Sequence, residues 1–373
     1  MIQASTFFQS LKKYNVNLFA GVPDSLLKNF CAYLDKHTNS DEHIITANEG
    51  NAIALVTGYH LATGKIGAVY MQNSGLGNAV NPLTSLTNPD VYSIPLLMII
   101  GWRGEPGKKD EPQHIKQGRI TPALLELLDI PYRILNADSN LNAILADLFQ
   151  TLTKIHAPVA LLVSKGTFAD YKCKLKSDNK AILGLEETLR QILSLVNPQD
   201  LIISTTGKTS REVFELRAER GDTQRDFLTV GSMGHTSSIA LGVAIGNPKR
   251  QVICLDGDGS VLMHMGVLPI IGDIKPYNLV HILLNNNAHE SVGGQPTVAG
   301  QMDFAAIAEG CGYRQYFAVR DSHSLTRSFQ EAYQKPGPVL IEVHIRAGSR
   351  SDLGRPTSSP IQNKKSFMEK ACD

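Results

Sequence analysis

Short apolar runs alternate with amphipathic stretches along almost the whole chain, and no other feature of the sequence restricts the fold as strongly. Runs at Asn17–Gly21, Ile44–Ala47, Ile66–Met71, Pro95–Gly101, Pro131–Leu135 and Pro158–Val163 predict strands. Helical spacing fills the gaps, as at Asp24–Lys36, Glu49–Thr63 and Asn140–Lys154. Strands that alternate with helices build parallel α/β sheets. The polar, Lys- and Asp-rich stretch Lys165–Lys180 interrupts the pattern and has linker chemistry. The alternation then restarts, with strands expected at Leu201–Ser204, Phe227–Val230, Val252–Leu255, Leu279–Leu284, Arg314–Phe317 and Val339–His344. The expectation is two doubly wound parallel-sheet domains, 1–165 and 185–345, joined by a linker at 166–184 and followed by a tail at 346–373. The strand order is not readable from the pattern.

Composition narrows the function classes. With 373 residues and 42% apolar side chains, each half can bury its own core. The net charge of +1 gives no field that would gather nucleic acid or an anionic membrane. Five cysteines, Cys31, Cys173, Cys254, Cys311 and Cys372, form no C-x-x-C, so neither a disulfide framework nor a thiolate metal site is implied. That usage fits a reducing cytoplasm. The longest apolar run, Ile94–Ile100, falls far short of the roughly 20 residues that span a bilayer. The N-terminus lacks the basic-then-apolar pattern of a signal peptide and reads as a first helix. The tail is distinct: beyond His344 stand six Lys/Arg against three acids. It is punctuated by Gly348, Gly354, Pro356 and Pro360, which is the spacing of an ordered loop and of a possible lid.

The sharpest local signal is Leu255-Asp256-Gly257-Asp258-Gly259-Ser260, followed after one more helix and strand by Asn285-Asn286-Asn287. The first part ends a strand and opens a helix, where glycines and turn amides let the backbone approach an anion. Asp258 between the glycines would repel a bare phosphate, so the turn calls for a cation. Mg2+ suits it, since it accepts one or two protein oxygens while keeping phosphate oxygens in its shell. The Asn run ends the next strand, so two strand ends can serve one metal. Three look-alikes fail. A dinucleotide turn starting at Gly257 would need glycine where Leu262 stands, and one starting at Gly75 would need it at Val80. A phosphate loop ending at Gly207-Lys208-Thr209 would need it at Ile202.

The Gly-Asp-Gly and Asn-Asn arrangement resembles the signature of thiamine-diphosphate enzymes. That resemblance implies Asp258, Asn286 and the carbonyl of Ala288 as Mg2+ ligands, and Gly257, Gly259 and Ser260 as diphosphate holders. It also implies that Glu49, in Ala47-Asn48-Glu49-Gly50-Asn51-Ala52, bonds the aminopyrimidine ring and promotes loss of the thiazolium proton. A carboxylate at a helix start beside apolar Ala and Ile is physically suited to share a proton. Gly231-Ser232-Met233-Gly234 resembles the segment whose bulky residue supports the bent cofactor, here Met233, with Ser232 beside it. Thr206-Gly207-Lys208 matches a turn that touches the diphosphate.

Five further stretches are similar to phosphonopyruvate decarboxylase: Gly21–Ser25, Asn73–Asn78, Asp110–His114, Asn287–Thr297 and Gly348–Thr357. The likeness spans nearly the whole chain and extends to the sulfopyruvate decarboxylases. It implies two cofactor-binding domains, for pyrimidine and diphosphate, with no middle domain. It also implies decarboxylation of phosphonopyruvate to phosphonoacetaldehyde, and a homo-oligomer with active sites at the subunit interface. Sulfopyruvate decarboxylation is the rival with the same chemistry, and a non-catalytic cofactor-binding homologue the rival of a different class. Asp24 and Asn73 are candidate substrate residues. A phosphonate carries up to two charges that arginine binds in pairs, which makes Arg346, Arg350 and Arg355 the tail candidates. Pyruvate-type enzymes place an acid several positions after the Asn pair. Here Ser291-Val292-Gly293-Gly294 stands in that region, which leaves His114 and His289 as candidate proton carriers, with His235 behind them.

Overall fold

The computed structural model describes residues 1–171, 181–350 and 352–372. It divides into two compact units, Met1–Lys176 with Val292–Gln295, and Ser177–Ser291 with Pro296–Asp373.

In the first unit six strands, β1 (Phe19–Gly21), β2 (His43–Ile45), β3 (Ala68–Gln72), β4 (Leu97–Gly101), β5 (Tyr132–Leu135) and β6 (Val159–Val163), form one parallel sheet in the order β2-β1-β3-β4-β6-β5. The central strands are apolar throughout because both faces are covered. Their side chains alternate between two cores. Phe19, Tyr70, Leu97, Ile99 and Leu161 face one, with the helices Ala4–Lys12, Lys28–His37 and Leu141–Ile155. Val69, Met71, Met98, Ile100 and Leu162 face the other, with the helix Glu49–Thr63.

That helix has the bounds its periodicity predicts. Asn48 caps it by accepting the Asn51 amide at 3.0 Å, and Gly64 ends it with φ 67°. The helix expected from Asp24 starts instead at Lys28. Asp24 is drawn into a turn: its carboxylate accepts the Leu26 amide and its carbonyl the Leu27 amide. Within the expected linker, Phe168 packs against Phe7 and Phe30 and bridges to Ile2. Residues 172–180 of that linker lie outside the described residues.

The second unit holds β7 (Leu201–Ser204), β8 (Phe227–Leu228), β9 (Val252–Gly257), β10 (Leu279–Asn285) and the two-residue β11 (Ala288–His289); after β12 (Gln295–Pro296), where the division between the units falls, come β13 (Gln315–Val319) and β14 (Val339–His344). The main sheet is parallel in the order β13-β14-β10-β9-β7-β8. It too separates two cores, one around Ile202, Ile253, Ile282 and Ile341, the other around Ile203, Cys254, Leu283 and Leu340.

The tail is not loop throughout. Pro360–Cys372 is a helix whose Asn363, Phe367 and Lys370 are buried on one face. Phe367 meets Phe227 edge-on at 5.6 Å. The Asn363 amide donates to the Asp226 carbonyl at 2.8 Å and accepts from the Leu228 amide at 3.1 Å. No helix among the described residues is long and apolar enough to cross a membrane.

Candidate active site

In the first unit Glu49 sits in the first turn of its helix, 4% exposed. Asn78 donates to its Oε2 at 2.7 Å. A Cβ on Gly75 would lie 2.2 Å from its Oε1, so only glycine leaves room for the carboxylate. Burial pushes its pKa up, partly offset by the Asn78 hydrogen bond. The group is therefore primed to take a proton.

Asp24 is wholly buried, accepting from Gln72 at 2.8 Å and the Leu26 amide at 2.7 Å. Burial raises its pKa as well. Asn73 is also fully buried, and its amide is engaged by protein. It donates to the Arg103 carbonyl and Thr121 and accepts the Arg103 amide at 3.1 Å. Its evident work is to hold the loop after β4. His114, in the first turn of the helix Pro112–Leu127, bonds Asp110 through Nδ1 at 2.9 Å.

In the second unit β9 delivers Asp258 to the start of a short helix at 3% exposure. Thr297 donates to its Oδ2 at 2.5 Å, and backbone amides of Gly259 and Asn287 assist. No salt bridge reaches Asp258 among the described residues, and burial pushes its carboxyl up to about 6. A buried carboxylate without a counter-charge is costly, and a bound cation removes that cost. Asn286 follows β10; its Oδ1 accepts the Ala288 amide at 3.0 Å and its Nδ2 donates to Glu290 at 2.8 Å. Carboxylate, amide and carbonyl oxygens make a hard donor set of the kind Mg2+ prefers.

Around this turn the diphosphate candidates gather. Ser260 Oγ accepts from Thr205 and from the Gly234 amide, both at 3.2 Å. The Gly231 amide donates to Thr206 at 3.0 Å. Gly207 has φ 91°, and a Cβ there would lie 2.7 Å from Ser291 Oγ. At Gly257 an added Cβ would meet nothing within 4 Å, whereas at Gly259 it would lie 2.9 Å from His289 Nδ1 and 3.3 Å from Met233 Cε. Met233, His289 and Gly259 thus converge. Burial drives His289 down to about 4, so its ring is neutral at neutral pH. Ser232, at φ 46°, meets His235 Nδ1 at 3.1 Å. The residues present fit a diphosphate bridged by a divalent cation.

The sequence pattern puts Ser291–Gly294 where pyruvate-type enzymes carry an acid, but the structure brings Glu290 to the Asn pair. An acid does follow the Asn pair: Glu290 takes the Asn286 amide and a 2.8 Å ion pair from Lys208. Asn78 and Thr297, which donate to Glu49 and Asp258, carry no local sequence signal for that role. Two of the tail arginines are engaged by acids of their own unit. Arg346 pairs with Glu187 at 3.1 Å, and Arg350 with Glu212 at 3.5 Å and closely with Glu215. Arg211 reinforces this by bonding the Gly354 and Leu353 carbonyls. These contacts hold the segment against the helix Lys208–Glu219. Arg355 also has interactions of its own.

Comparison with known proteins agrees with this picture. Residues 1–123 match the family described as thiamine pyrophosphate enzyme, N-terminal TPP binding domain, and residues 206–343 its C-terminal TPP binding domain. The chain is 36% identical to a phosphonopyruvate decarboxylase of Streptomyces viridochromogenes, across 98% of this chain and 94% of the relative. It is also 36% identical to the Streptomyces hygroscopicus phosphonopyruvate decarboxylase, across 100% and 95%. A sulfopyruvate decarboxylase of Methanosarcina acetivorans is 28% identical, across 96% and 95%. The chain belongs to the phosphonopyruvate decarboxylase family of thiamine-diphosphate-dependent 2-oxoacid decarboxylases, and it is a carboxy-lyase.

Proposed function

We propose that the enzyme converts 3-phosphonopyruvate to phosphonoacetaldehyde and CO2, with its cofactor held through Mg2+. The observation that carries the metal is Asp258, a nearly buried carboxylate with no paired cation among the described residues. The substrate rests on the two phosphonopyruvate decarboxylases at 36% identity, against 28% for the sulfopyruvate enzyme. Thiamine diphosphate, when bound, supplies the sink for the electrons left by loss of CO2.

The chain does the rest. Asp258, Asn286 and the Ala288 carbonyl would hold Mg2+, with Glu290 fixing the Asn286 amide. Gly257, Gly259, Ser260 and the Thr206–Lys208 turn would hold the diphosphate, and Met233 and Ser232 the cofactor's bend. Glu49 would exchange a proton with the pyrimidine ring of the bound cofactor. His114 and His289, as neutral imidazoles near pH 7, accept and return protons at the substrate. Asp24, Asn73, Arg346, Arg350 and Arg355 stay in the substrate reading, and a phosphonate would have to displace Glu187 from Arg346 and Glu212 and Glu215 from Arg350. A homo-oligomer with interfacial active sites belongs to the same proposal, and sedimentation of an active monomer would refute it.

The deciding experiment is CO2 release from phosphonopyruvate, sulfopyruvate and pyruvate, each with and without thiamine diphosphate and Mg2+. Phosphonopyruvate should have the highest kcat/KM, and a higher value for sulfopyruvate would transfer the assignment to the rival substrate.

A further inference from the structure

Asp110 has more hydrogen bonds than a surface turn needs. Its Oδ2 accepts Arg103 Nε and the Gly104 amide, both at 2.8 Å. Its Oδ1 accepts Arg103 Nη2, the Glu111 amide at 2.7 Å and His114 Nδ1 at 2.9 Å. Arg103 is itself fixed, because its Nη1 donates to Ser25 at 2.8 Å and its backbone is clamped by Asn73. The loop is pressed onto the helix so tightly that glycine is required on both sides. A Cβ on Gly104, at φ 69°, would lie 1.9 Å from the His114 carbonyl oxygen, and one on Gly118 1.8 Å from the Gly104 carbonyl oxygen. Neither Arg103 nor Asp110 can swing away without opening this packing.

The arrangement settles a proton position. An ionised carboxylate only accepts hydrogen bonds. Burial raises the Asp110 pKa, but the bonds from Arg103, His114 and Gly104 overcome that and hold it well below the carboxylate range. The group stays ionised at working pH. The His114 nitrogen that faces it must then carry the hydrogen, which leaves Nε2 as the nitrogen with a lone pair. Among the described residues no hydrogen bond engages that Nε2.

We propose that Asp110 is a positioning residue that locks His114 in its Nδ1–H form, so that Nε2 is the atom that accepts and returns the proton in decarboxylation, and that Arg103 serves the same end by anchoring Asp110. This rests on the reading of His114 as a proton carrier. Arg103 is then a structural cation of the active site and not a reader of the substrate's phosphonate. His289 has no such lock: among the described residues no carboxylate forms an ion pair with it, and burial alone shifts its ring.

The test uses the holoenzyme and whichever 2-oxoacid it turns over. Asp110→Asn keeps the shape but presents an amide that can donate to Nδ1, which favours the opposite tautomer. It should lower kcat about 10- to 100-fold, with KM and cofactor affinity changed less than about 3-fold. In a His114→Gln background the same substitution should cost less than about 2-fold more, because both act through one imidazole. Long-range 15N–1H spectra of histidine-labelled enzyme should show His114 as Nδ1–H in the wild type and shifted toward Nε2–H in Asp110→Asn. Should Asp110→Asn not fold, Arg103→Lys loosens the same lock, and its spectrum should show a tautomer mixture. A wild-type spectrum with Nε2–H, or full multiplication of the two losses, overturns the proposal. Loss of kcat in His114→Gln with none in Asp110→Asn overturns it alone. Unchanged kcat in His114→Gln removes the parent reading and this proposal together.

Discussion

Counted within its own unit, each main sheet has six parallel strands in one and the same order: second, first, third, fourth, sixth, fifth. Each unit also places a nearly buried carboxylate proposed to serve the cofactor at a strand's carboxyl end, at different ends. In the first it is Glu49, after the second strand; in the second it is Asp258, after the third. At the matching ends stand Gln72–Gly75 in the first unit and Gly231–Gly234 in the second. Glycine makes room in both, Gly75 beneath Glu49 and Gly259 beneath His289. The surroundings separate the roles. Glu49 has a neutral amide partner, Asn78, and a raised pKa, which suits a proton carrier. Asp258 lies among the Thr297 hydroxyl and backbone amides, including that of Asn287, with no salt bridge among the described residues, which suits a metal. One scaffold thus supports two chemistries because the crossovers, not the sheet, choose what surrounds the acid.

The sharpest break of this comparison is Glu49→Gln. It should lower kcat about 100- to 10,000-fold while cofactor affinity changes by no more than a few-fold. Isothermal titration beside turnover would separate the two quantities, and equal losses in both would make Glu49 an anchor. Asp258→Asn should do the converse, weakening Mg2+ and cofactor binding by more than about 100-fold. Near-normal affinity there would move the metal elsewhere. Glu290→Gln should weaken Mg2+ about 10- to 100-fold by releasing the Asn286 amide, with a smaller change in KM.

The smallest expected effect concerns stability without cofactor. Because the folded pKa of Glu49 is raised above its ordinary 4.5, the folded chain holds that proton more tightly than the unfolded chain. The stability Glu49 contributes is therefore full below about pH 4.5 and declines as pH rises through the folded value. Glu49→Gln should match the wild-type Tm in acid and exceed it at neutral pH. A constant Tm difference across pH would show the carboxylate to be relaxed.

Much of the frame was legible in the sequence. Glu49–Thr63 has its helical bounds where cap and periodicity put them, and β7 and β14 fall where their apolar runs predict. Strand order was not legible, because an apolar run reports burial and not which neighbour buries it. The Gly-Asp-Gly turn and the Asn run were visible because their chemistry is local. The Arg103–Asp110–His114 lock was not, since Arg103 and Asp110 stand seven positions apart in a loop whose close approach at Gly104 and Gly118 no local pattern announces. Glu290 was obscured by the glycines after it. The tail read as a charged, Gly- and Pro-punctuated loop because the buried face of its helix has one aromatic, Phe367, flanked by Asn363 and Lys370, too weak a stripe to announce a helix.

That C-terminal helix has a consequence of another kind. β8 is two residues long and closes its sheet, so its outer groups would stand open as an edge. Asn363 meets the Asp226 carbonyl and the Leu228 amide with its own amide, imitating one rung of a seventh strand. An unguarded strand of this kind is a template for joining other chains. Removal of residues 360–372 should therefore appear first as concentration-dependent light scattering, before any change in turnover, and the helix acts as the molecule's guard against fibrous self-association.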